Sequence, residues 1–516
     1  SGRRMTKRST FHPSKGHVKG VGTSRSPRAE VVDLARYRHV ISDWDAFRKS
    51  AANPEPTVFR ICRRRITPQE LVDRLTEQGF RLRKKAGLPD FYEVEEGPRP
   101  VSLTLEHWLG LFYVQQASTG IAAPVLDPQP GERVLDLCAA PGGKTTHAAE
   151  LMKNRGCLVA AELSENRIRG LLGNLYRLGI SNVLVASGDG REAPEEALFD
   201  RVLVDAPCSG EGTLRRRSGR APRQSSSFLG YVTKVQRRLL EKAIRVTKPG
   251  GTILYVTCTF APEENEAVID GILRDHPVEI DPIRLQIPCA SGLTSFEGQR
   301  YDPALEGSVR IYPQHLDSGG LFMARLRRLD RSVGEDSFGA AEQGAEGWKS
   351  VPQLFPGNDP SDVAELVELA TNDLKGRFGV SSARLDECKW ILRGRRLWLH
   401  TMDEWPVDAW KTGVWRPISI GFRAVEFDSR GRPRPTNDLL RWLGHEVRSR
   451  VVDVNDTQLH QLVTQNSLSI PGDFLGPVAL RHSEDVVGRG AMTQDGLKSE
   501  IPRARATDLT RALDID

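Results

Sequence analysis

Between Gly131 and Phe260 the chain alternates short apolar runs with longer stretches of helical periodicity, a pattern that few folds accept. The runs are RVLDLC (133–138), CLVAAE (157–162), NVLVAS (182–187), RVLVDA (201–206) and TILYVTC (252–258), and helices are predicted over about 143–153, 165–178, 232–247 and 263–274. Strands that are apolar at nearly every position have both faces covered, and strands separated by helices pair in parallel. The expected fold class is therefore α/β, a Rossmann-like doubly wound sheet, with GLFMARLRRL (320–329) as a late antiparallel edge strand. In such a sheet ligands bind at the carboxyl ends of the strands.

The 516 residues are too many for one ordinary core, given roughly 150 residues per domain. Five regions are expected: a disordered basic tail (1–28), an α/β module (29–130), the sheet domain (131–329), a Gly/Ser/Glu/Pro-rich linker (330–360) and a β-rich domain (361–516). The tail also has the basic, Ser-rich, acid-free character of an organelle transit peptide, but the reading as a nucleic-acid-attracting tail is preferred. The α/β module opens on a short helical lead-in (29–53); from Thr57 it runs TVFRICRRR, a strand, then a helix capped at Thr67 and a second strand, DFYEVEE. Its arginines and lysines at 60, 63, 64, 65, 81, 83, 84 and 85 form a basic face that is either merely solvated or an RNA contact. In the last region Trp390, Trp398, Trp405, Trp410, Trp415 and Trp442 stand among arginines, and either stack bases or fill a core, the latter being preferred. The segment DVVGRGAMTQDGLKSEIPRARATDL reads as two strands around a turn at Asp495 and Gly496. Seven cysteines without CxxC or Cys/His spacing predict neither a zinc site nor a disulfide framework, and with no apolar run of about 18 residues no membrane partner is expected. A cytoplasmic monomer is the expectation.

The first apolar run passes into its helix through VLDLCAAPGGKTTHAAEL. The small residues Ala139, Ala140, Pro141, Gly142 and Gly143 let backbone approach a ligand, and the helix amino terminus offers unpaired N–H donors. The segment lacks the first glycine of a phosphate loop and the spaced G-x-G-x-x-G of a dinucleotide site. Glu162 ends the second run, where a carboxylate accepts both hydroxyls of a ribose, and Asp189 follows the third, where it suits an adenine amine. Each acid alone reads as a cap or turn residue. Acids at successive strand ends imply an adenosine-bearing cofactor without an obligatory phosphate, which suggests S-adenosylmethionine.

Two cysteines stand at the ends of the fourth and fifth runs, Cys208 in RVLVDAPCSGEGT and Cys258 in GTILYVTCTF. At this point CAAPGGKT, DAPCSGEGT and VTCTFAPEENE resemble the motifs of the Nol/Nop/Sun family of S-adenosylmethionine-dependent RNA cytosine-C5 methyltransferases, over residues 57–328. The resemblance implies that Cys258 is the nucleophile, that Cys208 helps release product, and that Asp205 with Lys144 contacts the target base. It implies a cofactor site made of Cys138, Ala139, Ala140, Pro141, Gly142, Gly143, Lys144, Glu162, Arg167, Asp189 and Asp205. Gln115 and Gln116 match a family segment near the site. The tail ending in GLKSEIPRA resembles, more loosely, the PUA-like RNA-binding module of bacterial ribosomal-RNA members, so structured RNA is the expected partner, ribosomal RNA favoured and transfer RNA the alternative.

The residue chemistry is consistent with that assignment. Carbon 5 of cytosine is a poor nucleophile until a thiolate adds to carbon 6, and covalent catalysis divides the difficult step. Lys144 is expected to favour the thiolate, and Asp205 to hydrogen-bond or protonate the ring nitrogen. Three rivals stand beside it: the Pro-Cys thiol of Cys208 as nucleophile, which leaves TCTF idle; an exocyclic amino methyltransferase, which wants Asp/Asn-Pro-Pro-aromatic where DAPC stands; and a non-catalytic RNA-binding assembly factor. The sequence departs from the family at Glu162, where Asp is usual, and in the loop LRRRSGRAPRQSSS, whose Arg215, Arg216, Arg217, Arg220 and Arg223 replace acidic and aromatic residues.

Overall fold

A computed structural model describes residues 34–217, 225–330, 347–356, 363–406 and 413–513. The expected basic tail, Trp410, Arg220, Arg223, the side chain of Arg217 and most of the expected linker lie outside them. No helix among the described residues is long and apolar enough to cross a membrane.

The centre is an α/β sheet. Its strands and helices run β1 (Arg133–Asp136), α1 (Gly143–Leu151), β2 (Cys157–Glu162), α2 (Glu165–Leu178), β3 (Val183–Ser187), β4 (Phe199–Asp205), α3 (Ser226–Val246), β5 (Thr247–Thr257), α4 (Glu266–Asp275), β6 (Val278–Ile280), β7 (Ala290–Ser291), β8 (Val309–Ile311), β9 (Leu321–Arg328) and β10 (Arg416–Ile420). In space the order is β7-β8-β9-β5-β4-β1-β2-β3-β10, with β6 also on β9. The first five strands are parallel, and the order reverses at β1, where β2 lies on one side and β4 on the other. That switch point opens a crevice at the carboxyl ends of β1, β2 and β4.

The apolar runs are continuous because the sheet is covered twice. Leu135, Val159, Leu184, Val202 and Ile253 pack with Leu239, Leu240 and Ile269 of α3 and α4. Their neighbours Val134, Leu158, Val183, Leu203 and Leu254 face Ala148, Ala149, Leu171 and Leu175 of α1 and α2. Burying one such aliphatic side chain fully is worth about 1.5–3 kcal/mol.

Two expectations change. β9 is antiparallel to β5 as read, but it is not an edge: β8 pairs along it from Val309 opposite Met323, and β6 from Val278 opposite Arg328. Those two strands are three residues long, too short to leave a periodic signal. At the other margin β10, contributed from beyond the expected linker, adds antiparallel to β3 with Arg416 opposite Ser187.

The amino-terminal module is a four-stranded sheet of Arg81–Lys84, Phe91–Glu96, Val58–Ile61 and Phe112–Val114 in that order. Its basic face is largely committed to the protein itself. Arg60 is 2% exposed, pairs with Glu150 at 3.0 Å and bonds Gln115 and Thr146. Arg64 donates to the carbonyls of Leu178 and Gly179, and Arg83 and Lys85 hold Glu93. The carboxyl-terminal region carries a four-stranded sheet and a five-stranded one; in the latter Asp485–Thr493 and Gly496–Ser499 form the expected hairpin, Thr493 opposite Gly496. The apolar side of this second sheet shares a core with the amino-terminal module, Val478, Leu480 and Leu509 clustering with Phe59, Leu71 and Trp108. Trp390, Trp398, Trp405 and Trp415 are all buried, which makes core packing the role of these four rings.

Candidate active site

The turn after β1 is drawn back onto the sheet by its own amides. Ala139 N–H donates to the Ala161 carbonyl at 2.9 Å and Ala140 N–H to Glu162 Oε2 at 3.3 Å. Gly142, at φ +106°, is the left-handed residue from which α1 starts, and an L side chain there is strained and 2.9 Å from Leu171. Asp136, at the end of β1, accepts from Thr145 Oγ1 at 2.7 Å and from Cys138 N–H at 3.2 Å. Burial pushes its carboxyl up to about 7, against the Thr145 hydrogen bond and with help from the charge of Asp205.

Of the acids expected at the strand ends, Glu162 reaches this turn and Asp189 caps a turn of its own after β3. Glu162 is 4% exposed, accepts Ser164 N–H at 2.9 Å and pairs with Arg167 at 3.3 Å. Arg167 also reaches the Ala140 carbonyl at 2.5 Å, so it braces the turn from α2. Asp189 caps the short helical turn Gly190–Glu192 by accepting Arg191 N–H at 2.9 Å, and the Arg191 guanidinium on both its oxygens holds its carboxyl below the ordinary range.

The second half of the crevice is built on β4 and β5. Lys144, in the first turn of α1, reaches across to Asp205 at the end of β4, Nζ to Oδ2 2.7 Å. Burial pulls the Lys144 ammonium down, but Asp205 and the Cys258 sulfur together hold it above its ordinary value, so it stays charged. Cys208 and Cys258 meet with their sulfurs 3.2 Å apart, and both are half-buried free thiols. The hydrogen bond from Cys208 is the first cause that lowers the Cys258 thiol; burial and Asp205 oppose it, and Lys144 adds to it. The same hydrogen bond, with burial, pushes Cys208 well up. The sequence reading had Lys144 favour the thiolate; in the structure Lys144 does act in that direction, and the neighbouring thiol adds a larger effect.

The two cysteine turns are held by buried polar groups. Glu264 accepts Ser209 N–H and Gln236 Nε2, each at 2.9 Å, while Gln236 also donates to the Pro207 carbonyl. Thr257 Oγ1 donates to Asn265 Oδ1 at 2.5 Å, and Asn265 Nδ2 to the Thr259 carbonyl at 3.0 Å. Cys258 O accepts Gly212 N–H, and Ser209 Oγ lies 2.8 Å from Thr259 Oγ1. Glu264, Asn265, Gln236 and Asp136 were not singled out from sequence. A buried carboxylate and amide within PEENE, read with the β-strand before it, was the available signal. Arg215 is also misplaced by the sequence reading: its side chain is 1% exposed and clasps Asp317, Asn53 O and Pro54 O, while Arg216 lies beside Glu55.

A thiol held low by a neighbour reacts early. Alkylation by iodoacetamide between about pH 6 and 9, where thiols ordinarily titrate, is expected to modify Cys258 with a midpoint below that of a free cysteine and Cys208 only above it. Peptide mass spectrometry across the series checks this; equal midpoints contradict the assignment.

A family model described as 16S rRNA methyltransferase RsmB/F matches residues 123–327. The chain is 30% identical over 423 residues to ribosomal RNA small subunit methyltransferase F of Vibrio vulnificus, which takes in 81% of this chain and 83% of that protein. The chain belongs to the RsmB/F family of RNA cytosine-C5 methyltransferases. It is 32% identical over 331 residues to the human 28S rRNA (cytosine(4447)-C(5))-methyltransferase, covering 62% of this chain and 40% of that protein, so it spans about two fifths of the length of that relative. The crystal structure of a methyltransferase homolog protein from Pyrococcus horikoshii superimposes with a TM-score of 0.51 at 35% identity, over 56% of this chain and 91% of that one.

Members of this family take their methyl group from S-adenosylmethionine, in keeping with the sequence reading. The residues present fit that group. The crevice offers a buried carboxylate at Glu162, a glycine-started helix and the capped acid Asp189, while its lysine is paired with Asp205. Gln115 Nε2, a buried donor without a partner, lies 3.6 Å from where a Cβ on Gly143 would stand, beside the start of α1.

Proposed function

We propose that this RsmB/F family member forms 5-methylcytidine in structured RNA, ribosomal RNA before transfer RNA, through a covalent bond between Cys258 and carbon 6 of the target cytosine. The observation that carries the reading is the pair of thiols 3.2 Å apart beside the Lys144–Asp205 pair, on the crevice side of the cofactor turn.

The Cys258 thiolate adds to carbon 6, and the electron pair displaced from the 5,6 double bond makes carbon 5 nucleophilic. As electrons move onto the ring, a proton passes to the ring nitrogen through Asp205 from the Lys144 ammonium paired with it, which neutralises the charge that arrives there. The bound cofactor supplies an electrophilic methyl group. Loss of the carbon 5 proton then restores the double bond and expels Cys258. In the resting site hydrogen bonding to the Cys258 sulfur holds the Cys208 thiol protonated. Once that sulfur is a thioether its charge is gone, the Cys208 thiol gives its proton to solvent, and the thiolate so formed takes the carbon 5 proton as Cys258 leaves.

Glu162 and Asp189 bind the adenosyl part, and Arg167 keeps Glu162 and the Ala140 turn in register. RNA contact by the amino-terminal module and the β-rich carboxyl-terminal region falls to side chains other than the committed arginines and the buried tryptophans, and a monomer in the cytoplasm completes the reading. To test it, the protein is incubated with methyl-labelled S-adenosylmethionine and ribosomal or transfer RNA, and the RNA is digested to nucleosides. Label is expected in 5-methylcytidine, more from ribosomal RNA. Label in any other nucleoside, or none in either RNA, overturns the reading, and 5-methylcytidine from transfer RNA alone reverses the substrate order.

A further inference from the structure

The edge of the methyltransferase sheet nearest the adenosyl side is closed by a segment that enters from far along the chain. β10 pairs with β3, and the residue before it, Trp415, folds over the turn that follows β3. The ring is 2% exposed. Its Nε1–H donates to the backbone carbonyl of Asp189 at 2.9 Å. The ring also lies against Gly188, where an added Cβ would stand 2.2 Å from Trp415 Cδ1, so only glycine admits the indole at this distance. Two further bonds fasten the same segment to α2: Arg416 with Glu165 at 3.1 Å, and Ser419 Oγ with Tyr176 Oη at 2.8 Å. Gly188 N–H in turn donates to the Glu162 carbonyl at 3.1 Å. Trp415 therefore touches one end of a backbone chain that joins both acids of the cofactor site.

We infer that the carboxyl-terminal region completes the cofactor pocket, with Trp415 as a positioning residue that fixes the Gly188–Asp189–Gly190 turn for binding the adenosyl group. The inference rests on the reading of Asp189 as an adenosyl contact. A carboxylate that must meet a flat base has to be held to a fraction of an ångström, and a side chain does so only when its own backbone is fixed. The Asp189 carboxylate is oriented from within its turn by Arg191, but the turn as a whole projects beyond the last parallel strand. Trp415 supplies the contact from outside. The pocket is then not a property of residues 131–329 alone.

The test uses the full chain and S-adenosylhomocysteine as probe, with dissociation constants from titration calorimetry for wild type, Asp189→Asn, Trp415→Phe, Trp415→Ala and the double variant Asp189→Asn/Trp415→Phe. Trp415→Phe keeps an aromatic ring on Gly188 and removes the N–H, so it is expected to fold and to weaken binding about three- to tenfold, the range of one hydrogen bond. Trp415→Ala weakens it further. In turnover, KM for S-adenosylmethionine rises by the same factor while kcat at saturating cofactor holds, a split that general loss of folded protein does not produce. In the double variant the phenylalanine adds little to the loss caused by Asp189→Asn, because both act through one turn. If Asp189→Asn weakens binding and both Trp415 variants bind as wild type, the inference is wrong and the reading of Asp189 stands. If Asp189→Asn itself binds as wild type, the reading of Asp189 falls, and the inference with it.

Discussion

Replacing Cys258 with alanine is expected to lower methyl incorporation into RNA by on the order of 10⁴-fold or more, the scale on which loss of a catalytic nucleophile acts, while S-adenosylhomocysteine binding stays within about twofold of wild type. The separation follows from the geometry. Cys258 stands at the end of β5 and touches Cys208, whereas the proposed cofactor residues Ala139–Gly143, Glu162 and Asp189 belong to β2 and to the turns after β1 and β3. Alanine removes the sulfur without disturbing the backbone bond from Gly212 N–H to the residue 258 carbonyl. Without a thiolate at carbon 6, carbon 5 keeps its low electron density, and positioning alone is left to drive the transfer. A variant that retains more than about a tenth of wild-type incorporation contradicts the covalent route. One that loses cofactor binding as well shows that position 258 matters to the fold, and the experiment is then repeated with Cys258→Ser, which keeps a polar side chain of nearly the same size.

Much of the sheet is legible in sequence because its physics is local. β2 and α2 occupy the residues read for them, 157–162 and 165–178, since a run buried on both faces and a helix with one apolar stripe each leave an unbroken pattern. β5 begins five residues earlier than expected, at Thr247, because KPGG does not read as strand yet pairs from Thr247 opposite Phe199. What sequence hides is commitment at a distance. Arg60 and Arg215 carry the charge of a phosphate contact, but each is buried against partners 55 to 162 residues away, and nothing in the flanking residues announces such a partner. Arg81–Lys84 is a strand made of RLRK, an edge whose outward charges mask the period of two. β10 is the extreme case, joining β3 across more than 200 residues of chain. At the site, the motif residues were visible as residue types. The buried Glu264–Gln236 and Asn265–Thr257 bonds that hold their turns required the fold.

Cys208→Ser is expected to trap the reaction after methyl transfer, so that a protein–RNA adduct stable in denaturant accumulates and release of methylated RNA slows by about 10² to 10⁴-fold, the range of a lost general base. Serine is the informative substitution because two effects of Cys208 have to be kept apart. In the resting site the Cys208 thiol lowers the Cys258 thiol by hydrogen bonding across 3.2 Å, and a serine hydroxyl still provides an O–H donor for that bond. Attack on carbon 6 is therefore preserved. In the later step the side chain has to accept the proton of carbon 5, and an alcohol is too weak an acid to be ionised near neutral pH, so it offers no base, whereas a thiol freed of its charged neighbour ionises within reach of that pH. Alanine at 208 would remove both effects and so slow the attack as well, leaving less adduct to see. The adduct is read as a shifted band on a denaturing gel after nuclease trimming, and on the proposed route it vanishes in Cys208→Ser/Cys258→Ala, which lacks the sulfur that forms the bond. Rapid release of methylated RNA from Cys208→Ser would assign the proton to another base, with the buried turn around Glu264 the next place to look, and would leave Cys208 only the part of tuning its neighbour.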